Sequence, residues 1–191
     1  MGKFLPIPTA ERVRDAGKIF DRDNQVIEEA LSELFARYHL NTNPSHVLFK
    51  VVTLNRLYSA GVLAVEALAA EIYKNGKVID AALAGGDGSA VEAISRITIK
   101  GKKLKFFSFA TKYCSWHNQE AYPVYDSRVD RYLWSLQRYK PFSDFKRRSD
   151  LCKDYVTFFK IMADFRRNYG LESFSFKDID KFLWFQTLLS G

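Results

Sequence analysis

Apolar residues recur three and four positions apart along almost the whole chain. Val26, Ala30, Leu31, Leu34 and Phe35 form one such stripe, and Val156, Phe159, Ile161, Met162 and Phe165 form another. That period is the signature of helices burying one face. It predicts helices over 9–20, 23–38, 44–58, 61–73, 77–83, 88–97, 108–116, 126–136, 149–168 and 175–189. No strand-like alternation competes over a useful length. Punctuation agrees with the period. Asp23 and Asn43-Pro44 are N-terminal caps, Gly85-Gly86-Asp87-Gly88 is a turn, Asn168-Tyr169-Gly170 is a stop, and Ser175 with Asp178 makes a near capping box. The expected fold is all-α, one globular unit over 1–191. Within it, 44–97 form a helical lobe, 98–136 a hairpin-like unit with a functional loop, and 1–43 and 137–191 pack around them.

A chain of 191 residues buries a core without staples. Its two cysteines, Cys114 and Cys152, show neither Cys-x-x-Cys nor zinc-site spacing, so reduced thiols and no structural metal are expected. The N-terminal stretch lacks the apolar core of a leader, and no apolar run reaches membrane-spanning length. A cytoplasmic monomer without membrane or small-molecule cofactor is the expectation, nucleoid-associated if the source is prokaryotic.

Charge changes the picture because it is uneven. Between residues 97 and 148 there are twelve Lys/Arg against four acids, a net of +8, while the whole chain carries +7. Cations concentrated in one region and interleaved with Tyr and Trp are what a polyanion binder needs, which makes DNA the expected partner. Within that region Lys100, Lys102, Lys103 and Lys105 surround Gly101 just ahead of the helix that starts at Ser108. A basic turn with a glycine offers backbone N–H and ammonium groups to a phosphate.

The most informative segment runs from Phe107 to Leu133. Pro123 forces an extended approach to Asp126, which can cap the helix holding Arg128, Tyr132 and Leu133. Eighteen positions separate Ser108 from Asp126, enough for the first helix to run out, turn near His117-Asn118 and return.

With these residues in place, the chain resembles the helix-hairpin-helix DNA glycosylases, a base-excision superfamily. The matching frame is Lys103 to Ser108, then Phe109 to Lys112, then Tyr122-Pro123-Val124-Tyr125-Asp126, with Ala110 at a small-residue position. A second correspondence lies in 51–61, where the family has a segment that wedges into the duplex. The resemblance spans about half of the chain, from Pro44 to Leu136. It implies a helical bundle in two lobes, with Asp126 as the catalytic carboxylate and Lys112, one helical turn beyond Ser108, as a second catalytic candidate whose amine reaches the sugar only if the hairpin is reshaped. It implies DNA contacts from Lys100, Lys102, Lys103, Lys105, Ser108, Arg128, Asn55 and Arg56. It also implies a base pocket lined by Tyr58, Tyr113, Trp116, His117, Tyr122 and Tyr125.

Two departures stand out. The family's Leu-Pro-Gly-x-Gly hairpin is replaced by Leu104-Lys105-Phe106-Phe107, and one extra residue separates Pro123 from Asp126. Ser108 falls where bifunctional relatives carry a Schiff-base lysine, which favours a monofunctional enzyme using water. Asp126 also suits the chemistry on physical grounds. Breaking an N-glycosidic bond builds positive charge on the sugar, and a carboxylate near C1′ stabilises that charge or activates water. The base must first leave the stack for a pocket that aromatic side chains can line. Two readings from other classes remain open: a non-catalytic DNA-recognition module of a defence or restriction system, and a helical protein–protein adaptor with a basic face.

Overall fold

The computed structural model describes residues 6–99 and 101–188. Along the chain these form α1 (Ala10–Arg37), α2 (Pro44–Leu57), α3 (Val65–Lys74), α4 (Gly76–Ala84), α5 (Ser89–Ser95), β1 (Arg96–Ile99) and β2 (Lys102–Lys105). They continue with α6 (Phe107–His117), α7 (Ser127–Tyr139), a 3-10 turn (Arg148–Cys152), α8 (Tyr155–Asn168) and α9 (Phe176–Leu188). The chain is therefore mostly helical. Among the described residues the one sheet is the antiparallel pair β1–β2.

Two compact units divide these elements. The first comprises Met1–Glu28 and Pro123–Gly191, the second Glu29–Tyr122, so the stretch 44–97 lies inside the second. α1 belongs in part to each. It runs unbroken through Asp23, where the sequence suggests a new start, and the Asp23 carboxylate instead meets Arg22 at 2.7 Å. The helix has no reason to stop there. Val13, Ala16 and Phe20 before the boundary and Leu31, Leu34 and Phe35 after it are all buried, so apolar partners hold it on both sides.

In the first unit, α7 buries Val129, Tyr132, Leu133 and Leu136 along one stripe. The Tyr132 ring meets Phe182 at 5.7 Å and Phe165 at 6.4 Å, both edge-on, and its hydroxyl donates to the Pro6 carbonyl at 2.6 Å. Fully buried side chains of this size each contribute about 1.5–3 kcal/mol, so this aromatic core carries the unit. α9 begins as its sequence signal suggests: Asp178 N–H donates to Ser175 Oγ at 3.1 Å and Ser175 N–H to Asp178 Oδ2 at 3.0 Å. The predicted helix 149–168 is split, because Asp154 caps a fresh start by accepting from Thr157 N–H at 2.8 Å.

In the second unit, α2 packs on α3 and α6, and α5 packs on α6. α2 starts where Asn43 accepts the N–H groups of Ser45 and His46 at 3.0 and 3.1 Å, with Pro44 as its first residue. Residues 96–105, expected as a helix end and a loop, form a β-ribbon turning through Gly101 (φ +76°). Ile97 and Leu104 are partners in its register and face inward, while the alternate positions are polar. That is a period of two over only four residues per strand.

Candidate functional site

The ribbon's alternation sorts its charges. Arg96 pairs with Lys105 and Thr98 with Lys103, and all four side chains are exposed on the face opposite Ile97 and Leu104. Three cations thus share one side of a two-stranded element, and Arg96 joins the lysines anticipated from sequence. Lys102 is exposed as well. Lys100 lies outside the described residues. The segment anticipated as a basic turn is a paired ribbon, and its exposed face presents the charge of these side chains.

β2 leads directly into α6, whose two faces differ. Phe109, Tyr113 and His117, four apart, point into the unit. Ser108, Lys112 and Trp116, also four apart, form a second line ending at Tyr58, the C-cap of α2. Lys112 is buried and donates to Ser108 Oγ at 2.9 Å, its ammonium lies 5.7 Å from the Tyr58 ring centre, and Trp116 Nε1 donates to Tyr58 Oη at 3.1 Å. Lys112 and Ser108, one helical turn apart, are therefore a bonded pair.

Asn55 and Arg56 diverge. Arg56 is exposed at the end of α2, as a phosphate contact requires. Asn55 is turned onto the following loop, donating from Nδ2 to the Val62 carbonyl at 2.9 Å and accepting Val62 N–H on Oδ1 at 3.0 Å. An amide bonded twice to backbone holds a loop; the structure does not present it outward.

Three residues expected to line a base pocket are instead internal. The Tyr113 hydroxyl donates to Asn41 Oδ1 at 2.5 Å, and the Tyr122 hydroxyl reaches the carbonyls of Ala82 and Asp87 at 3.1 and 2.9 Å; burial raises both phenols above their usual range. His117 stands edge-on to Phe35 at 5.0 Å. These side chains are drawn inward by a polar cluster that sequence reading missed. Lys50, with none of its surface exposed, directs its ammonium to Leu40 O at 3.3 Å, Asn41 Oδ1 at 2.7 Å and His117 Nε2 at 3.1 Å. While Lys50 is protonated its ammonium accepts nothing, and His117 Nε2 is then the acceptor. Asn41 in turn donates from its backbone and its side chain to Asp80, at 3.0 and 2.6 Å. Burial pushes Lys50 down to about 7 against the pull of Asp80. Burial, then Lys50 itself, lowers His117 to about 3.

In the first unit Asp126 is the N-cap of α7. Its backbone is extended (φ −150°) after Pro123, and Oδ1 accepts the N–H groups of Arg128 and Val129 at 2.8 and 2.9 Å. Those bonds fix the carboxylate at the positive end of a thirteen-residue helix, half-buried. The Arg128 guanidinium lies 4.8 Å over Trp184, with Nη1 buried and unbonded among the described residues. Tyr125 donates to Asp130 Oδ1 at 3.1 Å, and Arg148 Nε meets Asp130 Oδ2 at 2.5 Å, so Tyr125 is tied into a structural ion pair and burial raises its phenol. Asp126 and Tyr125 belong to the first unit, whereas Lys112, Ser108, Tyr58, Trp116 and the ribbon belong to the second. Among the described residues no group of three or more His, Cys, Asp or Glu could hold a metal ion, and no helix is long and apolar enough to cross a membrane.

Comparison with known proteins shows the family to which the chain belongs. A family model described as HI_0787_N, N-terminal domain, matches residues 11–121. An uncharacterized protein of Haemophilus influenzae is 39% identical over 138 residues, which cover 72% of this chain and 64% of that relative's length. No solved structure matches significantly.

Proposed function

We propose that this chain, which belongs to the HI_0787_N family by its N-terminal domain, binds duplex DNA and releases a damaged or modified base by hydrolysis of its N-glycosidic bond. The observation that carries the reading is the ribbon: Arg96, Lys103 and Lys105 on one exposed face, running straight into the helix of Ser108 and Lys112. A basic two-stranded element suits a phosphate backbone, and each phosphate it neutralises releases counterions. The resemblance to helix-hairpin-helix glycosylases supplies the reaction, with the ribbon standing where that family has a short helical hairpin.

Asp126 carries the chemistry. The base departs with the electron pair of the glycosidic bond, the carboxylate stabilises the positive sugar, and water adds to C1′ as its proton passes to Asp126. The bonds to Arg128 and Val129 N–H hold the carboxylate in one orientation at little reorganisation cost. The Lys112 amine is engaged by Ser108, which supports water over the amine as nucleophile and hence a monofunctional enzyme. A non-catalytic DNA-recognition module is the second reading. The inward-facing Tyr113 and Tyr122 favour it, since fewer aromatics remain to receive a base.

Two measurements test this together. Salt titration of duplex binding should give a log–log slope about one unit shallower for each phosphate that Lys103→Ala/Lys105→Ala no longer neutralises. Asp126→Asn, which keeps the helix cap, should bind DNA at least as tightly as the parent and release no base across a panel of modified duplexes. Equal salt slopes remove the ribbon from the interface. Base release at the parental rate by Asp126→Asn removes the carboxylate from the reaction, and a parent inactive on every substrate leaves the recognition module.

A further inference from the structure

α2 is apolar on both of its faces. Val47, Val51 and Leu54 are buried within the second unit, as a core-facing stripe requires. On the outer side Leu48, Phe49 and Val52 are 37%, 54% and 46% exposed. Between Pro44 and Asn55 the one Lys, Arg, Asp or Glu is Lys50, and it is turned inward and fully buried. A scattered exposed leucine is ordinary, but a helix that keeps its charge inside and sets three large apolar groups together on its outer face is built to be covered there too.

A groove of about 320 Å³ runs beside that face, between α1 and α2 and wholly within the second unit. Leu34 and the rings of Tyr38 and Phe49, whose centres are 6.2 Å apart, give it an apolar lining. Phe49 is thus both a projecting ring and the wall of a cavity with room for such a ring. The charges on the groove are one of each sign: Glu33 and Arg37, both exposed, one turn apart on α1.

We propose that this face is the interface of a twofold dimer, and that its occupant is a second copy of the same chain. The rim selects that occupant. A partner of either sign meets its like at Glu33 or at Arg37, and a phosphate backbone meets Glu33. A copy turned about an axis passing between the two residues meets neither conflict, because each Arg37 then faces the other copy's Glu33. The same rotation brings the two grooves face to face, so that each Phe49 projects into the cavity of the other copy. Self-complementarity of this kind is what an isologous contact demands, and covering Leu48, Phe49 and Val52 supplies its apolar centre. The dimer replaces the monomer expected from the sequence.

Sedimentation velocity of the full chain, from low micromolar to a few hundred micromolar, tests the proposal. The parent should reach twice the chain mass within that range. Phe49→Glu, a change at an exposed site whose fold circular dichroism confirms, should stay monomeric throughout. Glu33→Arg and Arg37→Glu each set like charges against one another at both ends of the contact and should weaken the dimer by about tenfold or more, whereas Glu33→Arg/Arg37→Glu together should restore it to within a fewfold of the parent. A parent that remains monomeric at every concentration overturns the proposal and leaves the groove to a different chain. A dimer that survives Phe49→Glu overturns it by placing the contact elsewhere. Single charge variants that associate like the parent, or a double variant no stronger than either single one, overturn the pairing of Arg37 with Glu33 and with it the second copy as the occupant the rim selects.

Discussion

Replacing Lys50 with Met removes an ammonium that the second unit holds without any exposed surface. Burial places this lysine near 7, whereas in the unfolded chain it titrates near 10.5. Between those values the unfolded state keeps a proton that the folded state has released. Stability therefore rises with pH across that window, by about 1.4 kcal/mol per pH unit for one proton. From pH 7.5 to 9.5 Lys50 should add roughly 2–3 kcal/mol, below the range where exposed tyrosines and lysines titrate strongly. The charged and titratable groups facing it are Asp80, through Asn41, together with His117 and Tyr113; the carbonyl of Leu40 completes its partners. Met has a similar length and no charge, so Lys50→Met should lose the slope whatever its effect at a single pH. Urea unfolding of parent and variant at pH 7.5, 8.5 and 9.5, followed by far-UV circular dichroism, measures it. Parallel stability curves for the two proteins would refute the reasoning, because they would mean that Lys50 exchanges its proton equally in both states.

Other consequences follow from the same cluster. His117, lowered to about 3 from 6.5, stays neutral in the folded chain while the unfolded chain protonates, so stability should fall as pH drops below 6.5 toward 3 at up to about 1.4 kcal/mol per pH unit; His117→Gln should flatten that acid limb in the same urea experiment. Gly76→Ala should destabilise the second unit by about 1–3 kcal/mol or more, because a Cβ there would lie 2.1 Å from the Asn41 carbonyl oxygen and push away the residue that orients Lys50 and Tyr113; a thermal midpoint unchanged from the parent would contradict it.

What the sequence determined by itself is local. Asn43 with Pro44, Asp126 ahead of Ser127, and Ser175 with Asp178 start helices where their side chains reach N–H groups two or three residues on, and such bonds need nothing from the rest of the fold. Helical periodicity located nearly every helix for the same reason. Locality also explains the failures. Asp23 carries a cap's side chain, yet buried partners on both sides keep α1 continuous. The ribbon is legible as the alternation of Ile97, Ile99 and Leu104 with polar and charged neighbours, but four residues per strand carry too few periods to compete until the strands pair. Lys50 reads as one more cation among apolar neighbours; only folding sets Leu40, Asn41 and His117, ten, nine and sixty-seven positions away, around its ammonium. The same holds for the aromatics. Tyr113 and Tyr122 look available for a base in the sequence, and tertiary partners take their hydroxyls. Leu63 is exposed because Asn55 anchors the residue before it, a choice made by a side chain seven positions from Val62 and invisible in any pattern of hydrophobicity. Composition and period fix where helices lie, since those follow from backbone bonds to near neighbours. Which charges are buried, which apolar groups are offered outward and which hydroxyls are spent is decided by interactions between distant segments, and those exist only once the chain has folded.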